Sequence, residues 1–271
     1  MPGIASGSPA VLLAAIGQST SRIRLGSGGV MLPQHQPLII AEQFRMLEGL
    51  FPGRVDLGVG TSLGFTRAVR TALRRAEISP DEIDHDLREL LDYLGSRAPI
   101  TARPRTDPLP VHVLASRSGI ARAARLRLPV VIGGPMVFSD RLPALLADYR
   151  AAFDGEDPHV MLSLDVFVAP TAEKARKLAL PEAWAMAQTS RTGEFGPLEP
   201  VERILAQSWP DRVRARVEKH LAQVMLGTPA EVADRLGALA AVTGVDEFLV
   251  STSTFDVDDL ARLDETLIRA F

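Results

Sequence analysis

From Pro37 the apolar positions Ile40, Phe44, Leu47 and Phe51 recur every three or four residues and then stop at Pro52-Gly53, the spacing of a half-buried helix. A short apolar run follows at once, VDLGVG over Val55 to Gly60, and predicts a strand. The same pairing of run types recurs along the chain. Upstream, Ser8 to Gln18 is apolar on nearly every side, with Ser8 and Pro9 in cap and first-turn positions, and predicts a largely buried helix. RIRLGSGGVML, Arg22 to Leu32, predicts one glycine-interrupted strand closed by Pro33. Helical segments are expected over Thr66 to Ile78 and over Asp81 to Leu94, the second opened by the cap signal SPDE at Ser79 to Glu82. Beyond a Pro- and Arg-rich loop, Ala98 to Pro110, come strand VHVLAS (Val111 to Ser116), helix IARAARLR and strand PVVIGG (Pro129 to Gly134). Helix Arg141 to Phe153, strand Met161 to Ala169 and helix Ala172 to Gln188 continue the alternation. The pattern fails between Thr189 and Trp209, which reads as an excursion loop or lid near 189–210. A helix over Asp211 to Met225, a GTPAE start at Gly227, strand DEFLVST and a last helix striped by Leu260, Leu263 and Leu267 complete the chain.

Short strands separated by helices of ten or more residues predict parallel βαβ units, hence an α/β fold. The count is about six strands, against eight in a closed (β/α) barrel of similar length. A single domain over 1–271 is expected.

Composition narrows the partners. Thirty Lys and Arg against 33 Asp and Glu give a net charge of -3, with no basic excess for a nucleic-acid backbone or an anionic membrane. The chain has no cysteine, which removes thiolate chemistry, disulfides and Cys-ligated metals and fits a cytoplasmic protein. The apolar run Ala10 to Ile16 lacks a basic leader and reads as a helix, and no apolar run reaches membrane-spanning length.

Candidate chemistry sits where the predicted strands end. Gly26, Gly28 and Gly29 close the first, and Gly58, Gly60 and Gly64 close or follow the second. Such glycines serve either the close approach of a flat ligand or relief of backbone crowding. GVGTSLG only approximates a dinucleotide fingerprint, since its third glycine is one position late and no acid follows at the required distance. SRSG, Ser116 to Gly119, joins a strand to a helix; its free N–H groups, the hydroxyls of Ser116 and Ser118 and the Arg117 guanidinium suit an anion, with simple helix capping as the alternative. Histidines 35, 85, 112, 159 and 220 have no metal-site spacing, and His35, following the first strand, is a candidate proton carrier or a structural histidine. Glu42, one residue off the helix stripe, is expected to face a neighbouring loop.

The segment GSGGVMLPQHQPLIIAEQFRMLEGLFPGRVDLGVG, Gly26 to Gly60, closely resembles the bacterial-luciferase-like flavin-dependent monooxygenases. The similarity continues through LPVHVLASRSGIARAARLRLPVVIGG, GTPAEVADRL and DEFLVST, and so covers nearly the whole chain. This resemblance implies a TIM-like (β/α) barrel that binds FMN at the C-terminal ends of its strands. Reduced FMN, supplied by a separate flavin reductase, would react with dioxygen to oxidise a small organic substrate; deazaflavin is left open as a variant. It also implies a non-prolyl cis peptide at Gly28-Gly29 against the flavin ring. Phosphate contacts would fall in the loop Thr61, Ser62 and Leu63 and at Ser116, Arg117 and Ser118. A homodimer is expected.

The sequence departs from the family pattern twice. Thr61 stands where many relatives carry arginine. The family's first strands and Glu-His-His motif, which supplies its usual catalytic base, have no counterpart here, in line with six strands of eight. His35 is then the remaining candidate base, and a noncatalytic flavin-binding or partner-stabilising homologue is the alternative reading.

Overall fold

The computed structural model describes residues 7–62, 67–75, 77–115, 117–155, 158–192 and 196–270. The chain divides into two compact units. The first spans Ala5–Val131 and Ala147–His159; the second spans Ile132–Leu146 and Val160–Phe271.

In the first unit the order is α1 (Pro9–Gln18), β1 (Leu25–Gly26), β2 (Val30–Met31), α2 (Pro37–Leu50), β3 (Val55–Gly60), α3 (Arg67–Ala72), α4 (Pro80–Leu94), β4 (Val111–Ala115) and α5 (Arg117–Arg125). β5 (Val130–Gly133) and α6 (Leu142–Ala152) each belong partly to both units. β3 is the spine, pairing in parallel with β1, β2 and β4. Its alternate residues Val55, Leu57 and Val59 are fully buried, as are Ile40 and Phe44 of α2. These apolar rows form the core of the unit. The expected strand over Arg22 to Leu32 arrives as β1 and β2, because the chain at Gly26 to Gly29 leaves the ladder before rejoining it.

Helix ends form where capping chemistry permits. Ser79 and Glu82 make a complete capping box at the start of α4, and Thr228 and Glu231 make another at the start of α10 (Pro229–Thr243). Gly244 ends α10 in the left-handed conformation, with φ of 59°.

One expectation fails here. α1 is not largely buried: Ala10, Leu13 and Gly17 pack inward, while Val11, Leu12 and Ile16 are exposed. Only one side of this helix meets the rest of its unit, at α2 and β1. An apolar composition shows that a helix favours burial but not that its own chain supplies the cover.

The second unit contains β6 (Val160–Val168), α7 (Ala172–Thr192), α8 (Val201–Leu205), α9 (Asp211–Leu221), β7 (Met225–Gly227), α10, β8 (Glu247–Ser251) and α11 (Val257–Ala270). β6 pairs in parallel with β8 along its first half and with β7 at its end. The helix expected over Asp211 to Met225 ends at Leu221, and Met225 opens β7 instead, a strand whose three residues carry no period. α7 runs past the expected Gln188 to Thr192, and the stretch after it is fastened back to α7. Trp184 Nε1 donates to Glu199 at 3.0 Å, Gln207 Nε2 donates to the same carboxylate, and the Trp184 and Trp209 rings meet at 5.2 Å.

Candidate active site

Parallel pairing brings strand ends to one edge, and in the first unit the register is explicit. Met31 lies opposite Gly60, and Gly60 opposite Leu114, so β2, β3 and β4 finish abreast. Whatever follows these strands is therefore gathered at their common C-terminal edge. That places the turn carrying His35, the residues Thr61 and Ser62, and the start of α5 with Ser118 along one rim. The backbone at Arg117 opens α5; the Arg117 side chain, with Ser116, Leu63 and Gly64, lies outside what the structure describes.

The two readings of the glycines separate by position. A Cβ on Gly58 would stand 2.1 Å from the Ser27 carbonyl oxygen, and one on Gly29 2.6 Å from the Gly58 carbonyl oxygen. These two glycines permit backbone to touch backbone. A Cβ on Gly28 would meet nothing within 4 Å, and one on Gly60 only the Val30 carbonyl at 3.8 Å. These two leave open surface. The Gly28-Gly29 peptide is cis, as the resemblance implied.

Sequence reasoning missed Ser27. Its Oγ accepts from the Gly58 N–H at 3.1 Å and donates to the Gly58 carbonyl at 2.9 Å, stitching the departed chain back to β3. The signal was a lone hydroxyl within a glycine run at a strand end. Leu114 was also missed; its Cδ1 bounds the Gly29 and Gly58 positions at 3.0 and 3.1 Å.

His35 follows a single 3-10 turn, Leu32–Gln34, and its backbone N–H donates to the Leu32 carbonyl at 3.0 Å. Its half-buried imidazole titrates below the usual histidine value because burial disfavours the charged form. At neutral pH it is a neutral ring able both to donate and to accept.

α5 is held in place by α4. Arg122, nearly buried, and Arg125 both bind the Asp84 carboxylate, the Arg125 contact being 3.1 Å. Burial pushes the Asp84 carboxyl up, but the hydrogen bonds and charges of Arg122 and Arg125 more than offset this and hold it below the ordinary value. The start of α5 carries the partial positive charge of a helix N-terminus, and Ser118 is exposed beside it.

The second unit carries a separate titratable cluster. Glu182 of α7 is pushed up to about 7 by burial, with the Asp165 charge adding to the shift, and its Oε2 has no partner among the described residues. Asp165 accepts from Ser251 Oγ at 2.6 Å. Burial lowers the His220 value while Asp165 opposes that shift. Glu182 binds its proton more tightly folded than unfolded, so its contribution to stability declines as pH rises from about 4.5 to about 7. Glu182→Gln is expected to flatten that decline and to stabilise the protein at pH 8 by at most about 3 kcal/mol. Thermal melts of both proteins at pH 5.5 and 8 check this.

A glycine-faced rim flanked by hydroxyls, at the strand ends of a parallel α/β chain, is where such proteins bind flat, phosphorylated ligands. The family described as luciferase-like monooxygenase matches residues 1–247. The chain belongs to this family. A luciferase-like monooxygenase from Escherichia coli (strain K12) is 34% identical over 269 residues, covering 94% of this chain and 79% of its own. N-acetyl-S-alkylcysteine monooxygenase of Bacillus subtilis (strain 168) is 31% identical over 266 residues, covering 92% and 78%. The crystal structure of apo-MsnO8 superposes with a TM-score of 0.85 at 32% identity, covering 98% of this chain and 83% of that one.

Two more distant structures share the fold. One is the oxygenating constituent of 3,6-diketocamphane monooxygenase from Pseudomonas putida in complex with FMN, with TM-score 0.69, 18% identity and coverage of 96% and 81%. The other is the coenzyme F420 dependent tetrahydromethanopterin reductase from Methanopyrus kandleri, with TM-score 0.69, 17% identity and coverage of 97% and 88%. The α/β fold expected from the sequence, a TIM-like barrel of the luciferase type, is the fold of these relatives. Among the described residues no helix is long and apolar enough to cross a membrane, and no group of three His, Asp or Glu is placed to hold a metal ion.

Proposed function

We propose that the chain is a flavin-dependent monooxygenase that uses reduced FMN and dioxygen to oxidise a small organic substrate. The observation that carries the reading is the rim itself: open backbone at Gly28 and Gly60, with hydroxyls and a helix start gathered beside it. The residues fit the cofactor. Gly28, with Gly29 behind it, would lie against the flat ring system, since nothing lies within 4 Å of where a Cβ on Gly28 would stand. Thr61, Ser62 and Leu63 on one loop, and Ser116, Arg117 and Ser118 on the next, would hold the phosphate through hydroxyls, α5 N–H groups and the Arg117 guanidinium. Reduced flavin, when bound, supplies the electrons for activating dioxygen, while the protein orients ring and substrate and excludes water. His35, neutral at working pH, would hold or pass a proton at a ring nitrogen.

The proposal extends to the setting: a separate flavin reductase as partner, a cytoplasmic homodimer, and residues 1–271 acting as one barrel domain with a lid near 189–210. The relatives named above are monooxygenases, which favours oxygen insertion over simple hydride transfer. Deazaflavin is a second reading, favoured by the F420-dependent reductase that shares the fold. A noncatalytic flavin-binding or partner-stabilising protein is a third, favoured by Thr61 at the usual arginine position.

Arg117→Ala is expected to weaken FMN binding by about 10- to 100-fold, the loss of one charge-assisted contact. Equilibrium dialysis with FMN measures it, and unchanged affinity would remove Arg117 from the site. Dioxygen consumption in the presence of an added flavin reductase separates the enzyme from the noncatalytic reading.

A further inference from the structure

In the second unit β6 and β8 are in register up to Asp165 and Ser251, and Ser251 Oγ donates to the Asp165 carboxylate at 2.6 Å. Two helices bring further polar groups to this cluster. α7, which follows β6, carries Glu182, and α9, packed along α7, carries His220. Glu182 Oε2 and His220 Nε2 are both shut off from solvent, and neither has a hydrogen-bond partner among the described residues. Burial raises the Glu182 value with the Asp165 charge adding to the rise, and burial lowers the His220 value with the same charge opposing the fall, so Asp165 is electrostatically close to both.

A buried polar atom without a partner costs free energy, and native proteins keep few of them. Two occur here around one carboxylate. Burial keeps His220 neutral, so its Nε2 accepts when Nδ1 carries the proton. Glu182, His220 and Asp165 then offer three acceptors, and an ammonium group offers three donors. A metal ion is the poorer fit, because among the described residues no group of three His, Asp or Glu is placed to hold one.

His220 also lines an open groove of about 200 Å³, together with Arg216 and Lys219 of α9 and with Met186, which lies one helical turn beyond Glu182 on α7. That volume is below the roughly 300–1,000 Å³ that drug-sized ligands occupy, so the groove suits a small molecule. Arg216 is half-buried and Lys219 exposed, and neither takes part in an ion pair among the described residues. A simple amine would leave these two cations without a counter-charge, and a simple acid would leave the buried acceptors without a donor. A ligand carrying both signs matches the whole surface.

We propose that the second unit binds a small zwitterion of amino-acid size beside β6 and β8, its ammonium taken by Glu182, Asp165 and His220 and its carboxylate by Arg216 and Lys219. All five residues belong to the second unit, so the site stands apart from the flavin reading and is tested with no flavin present.

The twenty common amino acids, each at about 10 mM, are screened by thermal shift, since a ligand that binds only the folded chain raises its melting temperature. The amino acid with the largest shift is then titrated by calorimetry beside its decarboxylated amine and its deaminated acid. Glu182→Gln, which keeps the shape of the side chain, is expected to weaken the amino acid and the amine about tenfold or more and to leave the acid unchanged. The double variant Arg216→Ala and Lys219→Ala is expected to weaken the amino acid and the acid and to leave the amine unchanged. Melting temperatures without ligand report that each variant is folded. A wild type that shifts with none of the twenty would overturn the site. So would a folded Glu182→Gln that binds the amino acid as tightly as wild type, or one that weakens amine and acid equally, which is what a merely structural role for Glu182 would give.

Discussion

Gly58→Ala is expected to cost about 3 kcal/mol, lowering the melting temperature by roughly 6–12 °C. The added methyl would stand 2.1 Å from the Ser27 carbonyl oxygen, 3.2 Å from its carbon and 3.1 Å from Leu114 Cδ1. Two of those three atoms are backbone and cannot rotate away. Ser27 is also fixed, since its Oγ is engaged by both the N–H and the carbonyl of Gly58. Relief requires the Ser27 to Gly29 segment to lift from β3, which would break both hydrogen bonds and move the rim. Gly60→Ala is the control: its methyl meets only the Val30 carbonyl at 3.8 Å, an ordinary contact, and its melt should match wild type within about 0.5 kcal/mol. Paired thermal melts decide the matter, and equal losses at the two positions would mean that backbone crowding is not what Gly58 is for.

Gly28→Val has the opposite expected profile. Nothing lies within 4 Å of the position its Cβ would take, and Gly28 is not among the residues with positive φ, so the fold has room for a side chain. Stability should change by less than about 1 kcal/mol. Flavin affinity should fall at least about 100-fold, because the isopropyl group would occupy the face where the ring system is proposed to lie. Melting temperature and FMN titration on the same sample separate the two effects. Full affinity with a filled Gly28 face would place the ring elsewhere.

Much of the architecture was open to reading because apolar periodicity and capping chemistry are local. Ile40, Phe44 and Leu47 marked the buried side of α2, and the Ser79–Glu82 and Thr228–Glu231 boxes form where SPDE and GTPAE predict. What escaped was non-local or too short to carry a period. β7 spans three residues, and the break between β1 and β2 depends on where Ser27 finds its partner on β3. α1 shows the limit most plainly, since its sequence records a preference for burial while its own unit covers only one side.

The candidate site divides in the same way. Strand-end glycines were legible as a class, but which ones relieve crowding and which leave open surface depended on a parallel register that no single segment contains. His35, Thr61, Ser62 and Ser118 were legible because each follows a strand end, and parallel pairing alone then gathers them on one edge. Glu182 was invisible as a titrating group, because its shift comes from burial and from Asp165 on another element.

The measurement that bears most directly on a flavin site at this rim is an anaerobic titration of the purified chain with reduced FMN, followed by flavin absorbance and fluorescence, beside Gly28→Val. Saturable binding by wild type at one flavin per chain, lost in Gly28→Val while its melt is unchanged, is the predicted result. A folded wild-type sample that shows no saturable binding of reduced FMN, or a Gly28→Val variant that binds as tightly as wild type, would contradict it.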